Sequence, residues 1–230
     1  VLLFDGDEPL LQTLINKTKS YRIGFSKEND FTITNVHITN DDTQFLLNGE
    51  PFSIHALGSH QAKNASFAIL CGNLLSIPKE TIRKSLLKIE LSNMRFEKIK
   101  TKEGALLIND AYNASATSMK ASIEVVKKMD AERKVLVLGD ILEVGEQGKA
   151  IHQSVAEVIE PPIDALYTYG DLSKEIANAL GQKKQPITIE SFQSKEELTE
   201  ALRNEVKPGT LILFKASRGM KLEEVIEQFI

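Results

Sequence analysis

Three short stretches gather side chains that could bind and orient polar substrates. The first is Asn109-Asp110-Ala111-Tyr112-Asn113-Ala114-Ser115. Asp110 can accept from hydroxyls, Asn113 can donate and accept, and Tyr112 offers a flat face. The second is Leu138-Gly139-Asp140-Ile141-Leu142-Glu143-Val144-Gly145, and the third is Lys215-Ala216-Ser217-Arg218. Arg218 suits a carboxylate, because a guanidinium fork can hold two oxygens at once. Side chains of these types could bind anions and polar groups. By itself the first stretch also reads as a capped turn with no chemistry, since Ser115 is a good helix N-cap.

Each stretch follows an apolar run. Residues 105–108, 135–138 and 211–214 are predicted as short buried strands, with 165–169 as a fourth and 187–189 as a further candidate. Helical patterns separate them; Met119, Ile123 and Val126 fall at spacings of four and three. A strand–turn–helix rhythm predicts an α/β domain built on a mostly parallel sheet with helices on both faces. In such sheets ligands sit outside the carboxyl ends of the strands. Asp110, Asp140, Gly170-Asp171 and Lys215 through Arg218 should therefore share one edge and face one cleft.

The earlier part of the chain reads differently. A strand is predicted over 1–4, then a turn, Asp5-Gly6-Asp7-Glu8-Pro9, into a helix whose apolar face is Leu10, Leu11, Leu14 and Ile15. Further strands are predicted over 21–25, and over 31–38 and 44–49 as an antiparallel pair. Gly58-Ser59-His60-Gln61-Ala62-Lys63-Asn64-Ala65 opens a helix running to about residue 75, and another covers 81–89 with proline near its start. Cys71 lies in an apolar helical pattern and is expected in the core. His37 and His55 have no second metal-type ligand at useful spacing and read as structural or surface residues. No metal site is predicted. His60 reads, from its place alone, as a helix-start residue bonded to backbone.

Composition bounds the function. The 230 residues can build one large or two modest domains. With 28 Lys+Arg against 32 Asp+Glu and no long basic run, a nucleic-acid surface is not the main function. A single cysteine excludes a disulfide within the chain and fits a reducing, cytoplasmic setting. No apolar run reaches membrane-spanning length, and no signal peptide is expected among these residues. Gly145-Glu146-Gln147-Gly148-Lys149-Ala150 faintly imitates a phosphate loop, but lacks the G-x-x-x-x-G-K-[ST] spacing and puts Ala150 where a hydroxyl is needed.

Asp110 through Met119 resembles the D-A-Y-N-A-N-P-x-S-M signature of the UDP-N-acetylmuramoyl-tripeptide–D-alanyl-D-alanine ligases, a branch of the Mur ligase family. Residues 138–145 resemble its L-G-D-M-x-E-L-G, and Lys215 through Arg218 its K-G-S-R. Residues 58–65 are similar to the family's G-x-H-N-x-x-N-A, and residues 5–9 to its N-x-D-D-P turn. The departures are Ser115, Ala116 and Thr117 in the first motif, Gln61 in the fourth, and Ala216, whose methyl stands where glycine is usual. The resemblance implies a fold in which the C-terminal part of a central ATP-binding domain, residues 1–94, precedes a Rossmann-like C-terminal domain, residues 95–230. Arg95 matches a family arginine at the junction, usually preceded by glycine where this chain has Met94.

By the same resemblance, the whole enzyme joins D-alanyl-D-alanine to UDP-N-acetylmuramoyl-tripeptide with ATP and Mg²⁺, through an acyl phosphate, in peptidoglycan precursor synthesis and so in cell-wall biogenesis, cell shape and division. Asn64 and Asn113 are implied at adenine, His60 near the nucleotide, and Arg95 and Asp110 at ribose or phosphate. Lys215 and Arg218 are the implied catalytic residues, with Ser217 facing the peptide substrates and Asp140 orienting substrate amine or loop backbone. The chain is expected to begin inside the central domain, with the Walker A loop, the UDP-sugar domain and a carbamylated lysine upstream, and to be inactive alone. Two other readings stay open: a folylpolyglutamate synthase-like ligase, which Gln61 favours, and a non-catalytic Rossmann-like binding module. Whether the stem peptide carries lysine or diaminopimelate, and the oligomeric state, are not written in the residues.

Overall fold

The computed structural model describes residues 1–14, 19–39, 41–89 and 92–230, with only the backbone of Gln12 and Leu14. The chain divides into two compact units, Val1–Glu90 and Leu91–Ile230.

The first unit holds a five-stranded sheet in sequence order: β1 (Leu2–Asp5), β2 (Ser20–Gly24), β3 (Phe31–Ile38), β4 (Thr43–Leu47) and β5 (Glu50–Ile54). The first three strands are parallel, and β3, β4 and β5 run antiparallel in turn. The predicted strand over 44–49 stops early because Asn48 and Gly49 take left-handed φ values of 48° and 83°. An Asn-Gly pair with both residues at positive φ is a tight hairpin turn, and it makes β5 the partner of β4. Two helices follow, α1 (Ser59–Leu74) and α2 (Lys79–Leu86). Pro78 caps α2, which starts two residues earlier than the sequence pattern indicates.

Two expectations in this unit fail. Pro9–Leu14 is a 3₁₀ helix, and Leu10 is 81% exposed. With three residues per turn, so short a segment cannot present the α-helical face assigned to it. Ile15 and the Leu14 side chain lie outside the described residues. Cys71 is exposed rather than in the core. The buried face of α1 is Ala62, Ala65, Ser66, Ile69 and Leu70. Asn64, Ala68, Cys71 and Leu75, spaced four, three and four apart, form the outward stripe.

The second unit is built on a six-stranded sheet of order β10-β9-β8-β11-β7-β6. Its strands are β6 (Glu97–Lys100), β7 (Leu106–Asn109), β8 (Arg133–Gly139), β9 (Ala165–Tyr169), β10 (Thr188–Phe192) and β11 (Thr210–Lys215). All pairs are parallel except β6 with β7. The antiparallel edge strand β6 went unread because only Ile99 in it is apolar. Helices α3 (Ala116–Lys128), α4 (Gly148–Val155) and α5 (Lys174–Gln182) share one core with Ile108, Leu136, Leu138, Leu166, Leu211 and Leu213. On the other face, α6 (Lys195–Arg203) and α7 (Glu223–Ile226) pack with Leu107, Val135, Val137, Tyr167, Ile212 and Phe214. Alternate residues of each central strand thus go to opposite cores, which is why these strands read as continuous apolar runs.

Candidate functional site

Three central strands of the second unit, β7, β11 and β8, run side by side in parallel. Asp110 follows the last residue of β7, Asp140 follows the last of β8, and Lys215 ends β11. The register pairs Phe214 with Asn109 and Lys215 with Leu138, so these residues share one sheet edge. At this edge lies a cavity of 390 Å³, lined by Tyr112, Asn113, Leu142, Glu143, Ser217, Arg218 and Gly219.

Lys215 does not reach the cavity surface. Its side chain is 4% exposed, and its Nζ donates to Asp110 Oδ2 at 2.7 Å and to the Asn113 carbonyl at 3.2 Å. The Asp110 carboxylate also accepts from Ser122 Oγ at 2.6 Å and from the Phe96 N–H at 3.1 Å. Asp110 and Lys215, assigned from the sequence to nucleotide and catalysis, are therefore engaged with each other. Together they tie β7, β11, α3 and the segment at Phe96 into one frame.

Asn113 is exposed, and its Oδ1 accepts from the Ala114 N–H at 2.8 Å. Its amide N–H groups have no partner among the described residues, so it can offer donors. Ser115 caps α3: its hydroxyl accepts from the Ser118 N–H, and Ser118 Oγ takes the Ser115 N–H in return. Arg95 stacks its guanidinium 4.3 Å from the centroid of the half-exposed Tyr112 ring, a cation–π contact. Met94 takes a φ of 63°, the backbone state that glycine adopts most easily.

Asp140 is 6% exposed and turned away from the cavity. Its carboxylate accepts from the N–H groups of Asp171, Leu172 and Ser173 at 2.7–3.1 Å. That contact requires Gly170, whose φ is 118° and where any Cβ would lie 2.5 Å from the Asp140 carboxylate. These contacts are to loop backbone, one of the two partners the sequence left open for Asp140. Ser217 lines the cavity but is 5% exposed; its Oγ accepts from the Leu142 N–H at 2.9 Å, and its own N–H donates to the Asp140 carbonyl. Arg218 is an exposed cation, its side chain 58% exposed, with Nη1 facing Glu223 at 3.0 Å and the Met94 sulfur.

In the first unit, Asn64 is exposed on α1, with Nδ2 donating to Gln61 Oε1 at 3.4 Å, and His60 is half-buried at the start of the same helix. Lys63, unremarked in the sequence, is the centre there: its Nζ lies 2.9 Å from Asp5 and 2.8 Å from Asp7.

The family model "Mur ligase, glutamate ligase domain" matches residues 94–218. The chain belongs to the Mur ligase family. A UDP-N-acetylmuramoyl-tripeptide–D-alanyl-D-alanine ligase of Bacillus subtilis is 40% identical over 235 residues, covering all of this chain and 51% of the relative. A crystal structure of MurF from Acinetobacter baumannii matches with a TM-score of 0.84 at 22% identity, over 98% of this chain and 49% of that one. The MurF ligase of Thermotoga maritima in complex with ADP matches with a TM-score of 0.81 at 22% identity, over 99% of this chain and 52% of that one. The chain spans about half the length of the curated relatives it matches.

Within this Mur ligase chain, the departure at Ala216 has a local answer. Ala216 is fully buried, and a Cβ built on Gly139 would lie 2.7 Å from its methyl. The glycine that ends β8 leaves room for the extra methyl after β11. Sequence reading missed His152, which is fully buried in α4. Its Nε2 accepts from the Ile141 N–H at 2.9 Å, and Nδ1 meets the Gly148 carbonyl at 2.6 Å. Those partners require a neutral ring with its proton on Nδ1. Only its place seven residues beyond Gly145, on the apolar face of a helix, hinted at a brace for the loop after β8.

Proposed function

We propose that this chain is part of an ATP-dependent ligase that joins D-alanyl-D-alanine to UDP-N-acetylmuramoyl-tripeptide. The observation that carries the reading is the cavity at the carboxyl edge of the six-stranded sheet, with the Asn113 amide and the exposed Arg218 guanidinium on its wall. Arg218 offers the planar fork that a peptide carboxylate needs. Ser217 and Lys215 are positioning residues here, because Ser217 holds Leu142 and Lys215 holds Asn113 at the cavity wall, whereas the Asp140 carboxylate holds the loop after β9.

The residues fit a nucleotide in part. Asn113 keeps free donors for a base edge, and Arg95 is exposed beside Tyr112. Asp110 fits less well, since Lys215, Ser122 and the Phe96 N–H already take its oxygens. ATP, when bound, supplies the phosphoryl group that activates a carboxylate for attack by an amine. Among the described residues no group of three or more His, Cys, Asp and Glu side chains could hold a metal ion; Mg²⁺ on ATP needs no such group, since phosphates, water and one or two carboxylates hold it. A cytoplasmic setting and a place in peptidoglycan precursor synthesis go with the same reading. No described helix is long and apolar enough to cross a membrane.

A ligation assay on the full-length protein, with tripeptide and folate substrates in parallel, tests it. The expected result is ATP-dependent amide formation with D-alanyl-D-alanine and none with folate and glutamate. The reverse pattern would assign the chain to a folylpolyglutamate synthase, and no product from either would leave a binding module.

A further inference from the structure

We propose that Glu143 selects the free amino end of the dipeptide substrate, holding its ammonium group while Arg218 holds the terminal carboxylate. The inference rests on the ligase reading above and adds a specificity residue to it.

The cavity has two charged lining residues, Glu143 and Arg218, of opposite sign. A pair of that kind favours a zwitterion over a polyanion, because a phosphate chain next to Arg218 would also be repelled by the glutamate. Leu142 and Tyr112, both partly exposed, supply apolar surface beside them for small side chains.

Glu143 is also held in an unusual way. Its φ is 62°, a left-handed state that side chains other than glycine, asparagine and aspartate rarely adopt. The residues before it are fixed from several sides. The Ile141 N–H donates to His152, the Leu142 N–H donates to Ser217, and the Asp140 carbonyl accepts from the Ser217 N–H. Gly219 lies so close to Leu142 that a Cβ there would stand 2.8 Å from Leu142 Cδ1. The loop thus carries its glutamate to the cavity wall on a rigid and strained backbone. Among the described residues, none pairs with the Glu143 carboxylate. Seven other described non-glycine residues share a positive φ, but at Glu143 it falls on the cavity wall, at a charge with no described partner. Arg218 matches it: Nη1 faces Glu223, while no described residue takes Nε or Nη2, the edge that a carboxylate would approach.

Glu143→Gln in the full-length enzyme keeps length and shape but removes the charge. The Michaelis constant for D-alanyl-D-alanine should rise about tenfold, with that for ATP unchanged. Glu143→Gly separates charge from backbone: it relieves the strained φ, yet should lose dipeptide affinity as Gln does. Calorimetry with D-alanyl-D-alanine and with its N-acetyl derivative reads binding without turnover. Wild type should prefer the zwitterion, and Glu143→Gln should lose that preference. An enzyme that ligates the dipeptide normally after either substitution overturns the role of Glu143 and leaves the ligase reading intact. A wild-type enzyme that neither binds nor ligates the dipeptide overturns both.

Discussion

Neither Lys215 nor Asp110 can be removed alone without leaving the other's charge in a poor setting. Lys215 is 4% exposed and Asp110 14% at the side chain, and they meet at 2.7 Å. Breaking a buried pair from one side costs more than the pair contributes, because the remaining charge stays desolvated. Lys215→Met should therefore destabilise the chain by about 2–4 kcal/mol in urea unfolding, the lower end reflecting the partners Asp110 keeps in Ser122 and the Phe96 N–H. Adding Asp110→Asn should recover part of that loss; strictly additive losses would show that the two charges are not coupled. In the first unit Asp7 makes a pH-dependent contribution. Burial raises its pKa, but the Lys63 ammonium, the Phe25 and Ser26 N–H groups and the Asn29 amide outweigh it and hold it at about 2, against 3.8 ordinarily. A depressed carboxyl stabilises the fold above its unfolded pKa and loses that effect as pH falls through the folded value. After allowance for solvent screening the contribution is about 1–2 kcal/mol, lost between pH 4 and 2. Hydrogen exchange at the Phe25 and Ser26 amides should accelerate over that window beyond its intrinsic pH dependence. In Asp7→Asn that extra pH dependence should be absent.

At the scale of elements, the ends of β8 and β11 are matched to each other. Gly139→Ala would place a methyl 2.7 Å from that of Ala216 and should lower the melting temperature, at a cost of about 1–3 kcal/mol. Ala216→Gly in the same chain should restore most of it, since the remaining neighbours of the new methyl, the Tyr169 carbonyl and Leu222, are 3.4 and 3.6 Å away. If the double variant melts no higher than the single one, the fit between these strand ends is not what glycine serves. The parallel strands and the helix after Ser115 were legible because β7, β8, β9 and β11 bury both faces, and because the capping serine precedes an apolar stripe. The shared edge of Asp110, Asp140 and Lys215 followed from the same rhythm. The edge strand β6 was not legible, since a half-exposed strand of four residues, three of them charged, looks like a loop. Nor was the inward turn of Asp140 and Lys215. Sequence names a carboxylate or an ammonium, but only tertiary contacts decide whether it faces a ligand or the backbone of a neighbouring loop. Cys71 failed for a related reason: the periodicity of α1 is diluted by small residues, and the buried side of such a helix is set by the sheet it meets.

For the molecule as a whole, the residues assigned to a nucleotide are divided between the units, with Asn64 and His60 in the first and Arg95, Asp110 and Asn113 in the second. Neither unit contains the sequence that grips the terminal phosphates. A phosphate loop supplies a run of backbone N–H groups, a lysine and a hydroxyl for Mg²⁺. Residues Gly145–Gln147 fold instead as a 3₁₀ turn, Gly148 opens α4, and Ala150 is exposed where that hydroxyl would be required. Lys149 extends along the surface, with its Nζ 4.0 Å from Glu175. We therefore expect these 230 residues, produced alone, neither to hydrolyse ATP nor to ligate peptides, and to bind ATP weakly. Calorimetry with ATP and Mg²⁺ and a phosphate-release assay measure the two halves of that expectation. Tight binding, or turnover lost on changing Asp110 or Lys215, would mean that the phosphates are held by another device in this chain. Arg95 would then be the first cation to test, because it is exposed in the unit that carries the cavity.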